Sequence, residues 1–374
     1  MARKISSRQN VRYAVVGLGH IAQVAVLPAF QAAKYSELSA IVSGDPEKRQ
    51  ELKDKYGVPQ VYAYEEYEKA LAEVDAVYIA VPNHLHREYA VRAARAGVHI
   101  LCEKPMAVTE EECQEMIQAA YDNQVKLMIA YRLHFEKGNL QAVETAGSGQ
   151  LGEVRFFSSD FAQQVVEGNI RASEPVERGG GPVYDMGVYC INAARYLFQD
   201  EPVEVIAAAA SKDEPRFKQG GEMVTAVLRF PGERLASFTC SFGAADISRY
   251  TLTGTKGILT AEPAYEYASG IRHVLTIEGK TSKKTFPKRD QFAAELTYFS
   301  QCLRRAKEPE PSGLEGLADV RVVRAIYEAL RSGKKVTLPD MPNKPRPTMR
   351  QEIQHPPHEK PETVNAESPS GEAA

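Results

Sequence analysis

Cysteine is scarce in this chain: Cys102, Cys113, Cys190, Cys240 and Cys302 are scattered, odd in number and form no C-x-x-C pair. That pattern excludes a disulfide framework and a zinc site, and no metal is expected; a reducing cytoplasm is the expected home. Long apolar runs are also missing. None approaches the ~20 residues needed to span a bilayer, so no membrane role is expected. Net charge is only −3, with no dense basic stripe, which argues against nucleic acid as a partner. The start, Met1 to Ser7, is basic but has no apolar stretch before the first strand, and no secretory signal is expected. There is no internal repeat.

What is present is ordinary globular composition, 43% hydrophobic and 25% charged, in a length of 374 residues that suits two domains. Between residues 11 and 130 short apolar runs at 11–16, 38–42, 74–80, 98–102 and 126–130 read as strands. Helical segments at 22–34, 46–56, 85–96 and 110–123 alternate with them. Such alternation implies a parallel sheet covered on both faces. Asp45-Pro46 reads as an N-cap followed by proline at the first helical position, and Thr109 with Glu112 as a capping box. After residue 150 the character changes. Runs at 154–157, 203–210, 222–230, 235–242 and 250–253 are rich in β-branched and aromatic residues and predict a mostly antiparallel sheet. Helices are predicted at 187–198, 290–307 and 314–332. From 339 to 374 the chain is dense in Pro, Glu and Ser and reads as a disordered, inert tail.

The first strand runs into Gly17-Leu18-Gly19-His20-Ile21-Ala22. Glycines at this spacing, after a strand and before a helix, give a tight turn and let Gly17, Gly19, His20 and Ile21 bring backbone to a pyrophosphate. The fold expected is therefore α/β: an N-terminal Rossmann dinucleotide-binding domain over 10–131, then an α+β domain over 132–338 for substrate and oligomerisation. The latter carries a large, open-faced, mostly antiparallel sheet. The second strand ends at Ser43, where an NAD site usually has a carboxylate, and Lys48 opens the next helix. A hydroxyl and a cation suit a 2′-phosphate, which favours NADP and leaves NAD as the alternative. Asp45 complicates this unless it turns inward as the N-cap. Pro82, Asn83 and His86 follow another strand end and are expected at the nicotinamide half, whereas His84 reads as a surface residue. Lys104, in Glu103-Lys104-Pro105, closes the run 98–102. Ligands bind outside the carboxyl ends of parallel strands, so Glu103 and Lys104 are expected to face one.

These motifs, with Tyr131-Arg132-Leu133-His134, Gly179-Gly180-Gly181, Asp185-Met186-Gly187-Val188-Tyr189 and the segment 319–329, resemble the Gfo/Idh/MocA oxidoreductases. Within them they are similar to the glucose–fructose and aldose oxidoreductase branch, over residues 10 to 337. The resemblance implies hydride transfer between a nicotinamide and a sugar, oxidising an aldose at C1 to the lactone, with reduction of a second sugar as a coupled step. Tyr189 stands where the wider family usually has histidine. On a helix Asp185 and Tyr189, four apart, share a face. A nearby lysine ammonium would favour the tyrosine's anion. Tyr189 assisted by Lys104 is thus the implied general base, Asp185 orients it, and Arg132 is expected to touch cofactor or substrate. Arg171 and Arg178 are further candidates for substrate contact, and the triple glycine is expected to pass close to the sugar. An export signal and a proline-rich arm ahead of the nucleotide domain, which help that branch bury its cofactor, are not seen, so permanent NADP retention is not expected. The resemblance also implies homodimers or homotetramers built on the open sheet. Two other readings stand beside this one: a dehydrogenase or reductase of another cyclic polyol or keto-sugar, and a dinucleotide-binding sensor without catalysis.

Overall fold

The computed structural model describes residues 5–6, 9–341 and 345–370. Most of the basic start and the last four residues of the expected tail lie outside the described residues. Strands β1 (Val11–Val16), β2 (Ser36–Val42), β3 (Gln60–Tyr62), β4 (Ala76–Ile79), β5 (His99–Glu103) and β6 (Leu127–Ala130) form one sheet in the order β3-β2-β1-β4-β5-β6. Every pairing in it is parallel. Its apolar runs are covered on both faces, with Val15, Ile41, Val77 and Ile100 fully buried. Helices Pro46–Tyr56, His86–Arg95 and Glu110–Asp122 form where the sequence predicts them, and the capping box of Thr109 with Glu112 is made. The predicted helix over 22–34 is shorter. It opens as a wide turn, Ala22–Val26, and continues only through Leu27–Ala29. Pro28 brings no N–H to that turn. Strand order reverses between β1 and β4, and the crevice that opens at such a reversal is the natural ligand site of this architecture.

The second sheet has nine strands: β7 (Val154–Ala162), β8 (Glu204–Ala210), β9 (Met223–Phe230), β10 (Arg234–Ser241), β11 (Ile247–Gly254), β12 (Gly257–Ala261), β13 (Ile271–Ile277), β14 (Lys280–Phe286) and β15 (Val336–Thr337). Their order is β14-β13-β12-β11-β7-β10-β9-β8-β15. Only β7 and β10 pair in parallel. Period-2 alternation sends Val224, Ala226, Leu228 and Phe230 into the core beneath helices Val188–Phe198 and Gly313–Ser332. The other face leaves Phe156, Ile206, Leu235 and Ile258 between 42% and 50% exposed. Strands β12 to β14 were not foreseen. The edge strand β14 reads Lys-Thr-Ser-Lys-Lys-Thr-Phe and hides its role behind the lysines that keep a free edge from pairing.

The two domains share their cores. Helix Gln291–Arg304 sends Phe292, Leu296 and Phe299 back into the same cluster as Val11, Tyr13 and Val15. Helix Gly313–Ser332 gives Leu317 and Val320 to the first sheet's core and Val322, Val323 and Ile326 to the second's. The segment 345–370, expected to be disordered, lies against both domains. Arg346 Nη2 donates to Glu201 Oε1 at 2.7 Å, His355 meets Thr297 Oγ1 at 3.0 Å, and Ile353 and Val364 sit against the core containing Val11. Composition misled because side-chain hydrogen bonds, rather than buried apolar bulk, hold an extended proline-rich chain.

One charge cluster joins these pieces. Arg195 is fully buried. Its guanidinium donates to Glu201 at 2.7 and 3.0 Å, to Glu315 at 2.9 and 3.0 Å, and to Asp319. Removing one partner of a buried ion group leaves the others uncompensated. Arg195→Met is therefore expected to lower the free energy of unfolding by about 3–5 kcal/mol, read from urea denaturation.

Candidate active site

The chain leaves β1 through Gly17, whose φ is +90° and whose Cβ would lie 2.5 Å from the carbonyl oxygen of Ala80. No side chain fits between the ends of β1 and β4. Gly19 is different, because a Cβ there would meet nothing within 4 Å. Its bare backbone borders a cleft of about 1610 Å³ that also takes in Ile21, Ser43, Lys48, Pro82, Glu103 and Arg132. His20 Nε2 is buried at this point without a hydrogen-bond partner among the described residues. Burial first, then the charges of Arg171 and Lys360, push its pKa down to about 4. An uncovered backbone and an unpartnered imidazole at a helix start fit the diphosphate of a dinucleotide.

Beyond β2, Asp45 is turned inward as an N-cap. Its Oδ1 accepts from the backbone N–H groups of Glu47 and Lys48 at 2.9 and 3.1 Å, and Oδ2 accepts from Asn365 Nδ2 at 3.2 Å. These bonds, that to Lys48 foremost, hold its pKa below the ordinary carboxylate range. Ser43 is buried, and Arg49 Nη1 donates to its carbonyl oxygen. Arg49 was missed, although a second cation in the first helical turn could have been weighed beside Lys48. Tyr64 was missed as well; its ring stands 3.3 Å from where a Cβ on Gly44 would be.

Past β4, Asn83 borders the cleft and its Nδ2 donates to the carbonyl oxygen of Gly179 at 2.7 Å. His86, expected beside the nicotinamide, borders the cleft, and its ring nitrogens are engaged within the protein. It is fully buried, with Nδ1 2.9 Å from Pro105 O and Nε2 2.9 Å from Val81 O. Both ring nitrogens are thus taken up clipping the end of β4 to the end of β5. Burial pushes its pKa down to about 4, so the neutral ring donates to only one of the two carbonyls. His84 also has partners, with Arg178 Nη2 2.5 Å from its Nε2 and Glu174 Oε2 3.6 Å from its Nδ1. The triple glycine, expected to pass a sugar, borders the cleft and also packs closely on backbone: a Cβ on Gly180 would lie 1.9 Å from Glu174 O.

Glu103 closes β5 and is almost wholly buried. Its Oε1 accepts from Tyr78 Oη at 2.7 Å, and the same hydroxyl lies 2.8 Å from Glu295 Oε1. One hydroxyl proton cannot serve two carboxylates. Burial raises Glu103 and raises Glu295 well above the ordinary range, so this trio holds an additional proton.

Lys104, Asp185 and Tyr189 come together as the sequence predicts, with a different division of contacts. Lys104 Nζ donates to Asp185 Oδ1 at 3.1 Å and to its carbonyl oxygen at 2.9 Å. It stands 4.7 Å from the centre of the Tyr189 ring, over the face. The hydroxyl of Tyr189 accepts from Arg132 Nη2 at 3.2 Å, and Arg132 also donates to Tyr265 O at 2.6 Å and to Gln291. Arg171 Nη1 donates to Asp185 Oδ2 at 2.9 Å, so one carboxylate lies between two cations. Burial alone would neutralise Asp185, but Arg171 and Lys104 outweigh it and hold its pKa below the ordinary range. Burial opposes the charge on Lys104 too, yet Tyr189 and Asp185 raise its pKa. The set can therefore hold a charged lysine, an ionised aspartate and a tyrosine hydroxyl at one wall of the cleft, beyond the glycine turn. Among the described residues no cluster suited to a metal ion occurs.

Comparison with known proteins matches both halves of the chain. Residues 11–131 fit the family described as an oxidoreductase family with an NAD-binding Rossmann fold, and residues 139–260 fit the GFO/IDH/MocA C-terminal domain. Over 338 residues the chain is 33% identical to a D-xylose 1-dehydrogenase (NADP(+)) of Haloarcula marismortui, covering 88% of this chain and 93% of that one. The crystal structure of an aldose-aldose oxidoreductase from Caulobacter crescentus, complexed with glycerol, is similar with a TM-score of 0.84 at 36% identity, covering 88% of this chain and 100% of the other. A 3-ketoreductase from Actinomadura kijaniata, in complex with NADP and TDP-benzene, gives a TM-score of 0.78 at 26% identity over 86% of this chain and 98% of its own. With both halves matched and a relative of that identity and coverage, the chain belongs to the Gfo/Idh/MocA oxidoreductase family.

Proposed function

We propose that this protein is an NADP-dependent sugar oxidoreductase that transfers hydride between the nicotinamide and C1 of an aldose, releasing the lactone, with a second sugar able to reoxidise the cofactor. The observation that carries the proposal is the convergence of Lys104, Asp185, Tyr189 and Arg132 on one wall of the cleft that begins at the glycine turn. A bound nicotinamide supplies the hydride acceptor in one direction and the donor in the other. Tyr189, in its ionised form, takes the proton of the anomeric hydroxyl as the C1 hydride leaves, and it returns a proton when a carbonyl is reduced. Arg132, donating to the tyrosine oxygen, and Lys104, over its ring, stabilise the negative charge there. Asp185 fixes Lys104 and presents its remaining acceptor capacity to sugar hydroxyls. The cleft's volume, about 1610 Å³, exceeds the ~300–1,000 Å³ of an ordinary ligand pocket and suits a dinucleotide plus a sugar. A keto-sugar substrate is the second reading, favoured by the likeness to the 3-ketoreductase.

The test follows reduced-nicotinamide absorbance after protein, excess NADP and a panel of aldoses are mixed. Absorbance is expected to rise with some of them. Lys104→Ala and Tyr189→Phe are each expected to lower turnover by about 10²–10⁴-fold with NADP still bound. Undiminished turnover would refute the assigned roles. A flat trace with every aldose, despite NADP binding, would favour the keto-sugar reading or the non-catalytic sensor.

The choice of NADP rests on Lys48, on Arg49 beside Ser43, and on an Asp45 whose oxygens are already engaged. The double change Lys48→Ala with Arg49→Ala is expected to weaken NADP binding by about 10–100-fold, the worth of a charge-assisted hydrogen bond. NAD affinity should stay nearly constant in the same titration calorimetry.

The open face bearing Phe156, Leu235, Ile206 and Ile258 is proposed to meet a second copy, giving a homodimer or homotetramer. Leu235→Glu should shift the mass measured by light scattering towards the monomer, and an unchanged mass would rule this face out. No described helix is long and apolar enough to cross a membrane, and the five cysteines are free and buried. A reducing cytoplasm is the proposed compartment.

A further inference from the structure

The segment 357–369 does more than rest on the surface. His358 reaches Asp290 Oδ2 at 2.9 Å and Val24 O at 3.0 Å. Val364 forms a two-way pair with the buried side chain of Gln23: its N–H donates to Oε1 at 2.7 Å and its carbonyl accepts from Nε2 at 2.9 Å. The same Nε2 also donates to Leu18 O, at 2.8 Å, inside the glycine turn. Asn365 Nδ2 then donates to Asp45 Oδ2 at 3.2 Å and to Glu47 Oε2 at 2.9 Å. Finally Pro369 O accepts from Val166 N–H, at 3.0 Å, in the second domain. The segment therefore runs from the helix after β1, past the N-cap of the helix after β2, and across to the opposite domain. Lys360, Asn365 and Pro369 border the same cleft as Gly19 and His20.

We propose that this C-terminal segment is a wall of the dinucleotide site, with Lys360 and Asn365 as cofactor-binding residues, and that it holds the cofactor between successive sugars. The inference rests on the NADP reading above. Two features support it chemically. Lys360 adds a cation to the cleft that Gly19 and His20 also line, where it can meet a diphosphate. Asn365 occupies the outward oxygen of Asp45 and one oxygen of Glu47, the two carboxylates placed to repel a 2′-phosphate beside Lys48 and Arg49. A dinucleotide lying between the glycine turn and this segment cannot leave sideways until the bonds to Gln23, Asp45 and Val166 part. Prolines at 356, 357, 361 and 369 restrict the free chain and lower the cost of re-forming the wall. Slow exit is what a two-sugar cycle needs, because the hydride taken from one sugar stays on the enzyme for the next.

The test uses the full chain carrying Lys360→Gln with Asn365→Ala, two exposed positions whose replacement leaves the backbone tethers and the core alone. NADPH is bound to saturation, excess NADP is added, and nucleotide fluorescence follows release. Release is expected to be at least tenfold faster in the double variant. In the unaltered protein, amide hydrogen exchange over 357–369 should slow when NADPH binds. Release at the unaltered rate, or exchange that NADPH leaves unchanged, would overturn the wall while the cofactor reading stands. Failure of the unaltered chain to bind NADPH would overturn both.

Discussion

A carboxylate largely removed from water must be paired or protonated, and the arrangement around the cleft follows from how Asp185, with its side chain 18% exposed, meets that demand. Lys104 at the end of β5 and Arg171 from the second domain each take one of its oxygens. The pairing does two things at once. It keeps Asp185 ionised in a place where burial would neutralise it, and it ties the nucleotide sheet to the helix that begins at Val188. Because Lys104 is anchored this way, its ammonium lies over the ring of Tyr189 and the hydroxyl is left to Arg132. Pre-oriented charges of this kind cost no reorganisation when charge develops in a reaction.

The same logic recurs behind the cleft. Arg195 gathers Glu201, Glu315 and Asp319, and the trio of Tyr78, Glu103 and Glu295 keeps an extra proton where two carboxylates meet. Neither group adds much net stability, since desolvation cancels most of the attraction. The first fixes how the helices of the second domain pack and the second how the two domains meet, because an alternative packing would strand a charge. His86 acts likewise with neutral groups, clipping Val81 to Pro105 and so setting Asn83 and Lys104 at a fixed spacing.

Legibility varied with how local the cause is. Gly17, Ser43, Asp45 and Lys104 could be read directly, because each is dictated by a strand end, a turn or a cap within a few residues. The four-residue spacing of Asp185 and Tyr189 made only their shared face legible, and the roles expected of them came from the resemblance. Arg49 lay in plain view but needed the carbonyl of Ser43 to give it meaning. For His86 the strand end gave its place at the cleft but not the two carbonyls that take up its ring nitrogens. The tail was misread because composition reports apolar content, and this segment is held by hydrogen bonds to Gln23, Asp45 and Asp290 from more than sixty residues away at the nearest.

The sequence by itself determined the parallel sheet, the glycine turn, the antiparallel second sheet and the identities of the charged groups. These follow from hydrophobic period, turn chemistry and caps, which act over a few residues. Only the tertiary structure decided which cation serves which oxygen, that Arg132 rather than Lys104 bonds the hydroxyl of Tyr189, and that residues 345–370 lie along both domains. Those choices depend on distances between segments far apart in the chain. They are settled by which arrangement gives most buried charges and hydrogen-bonding groups a partner.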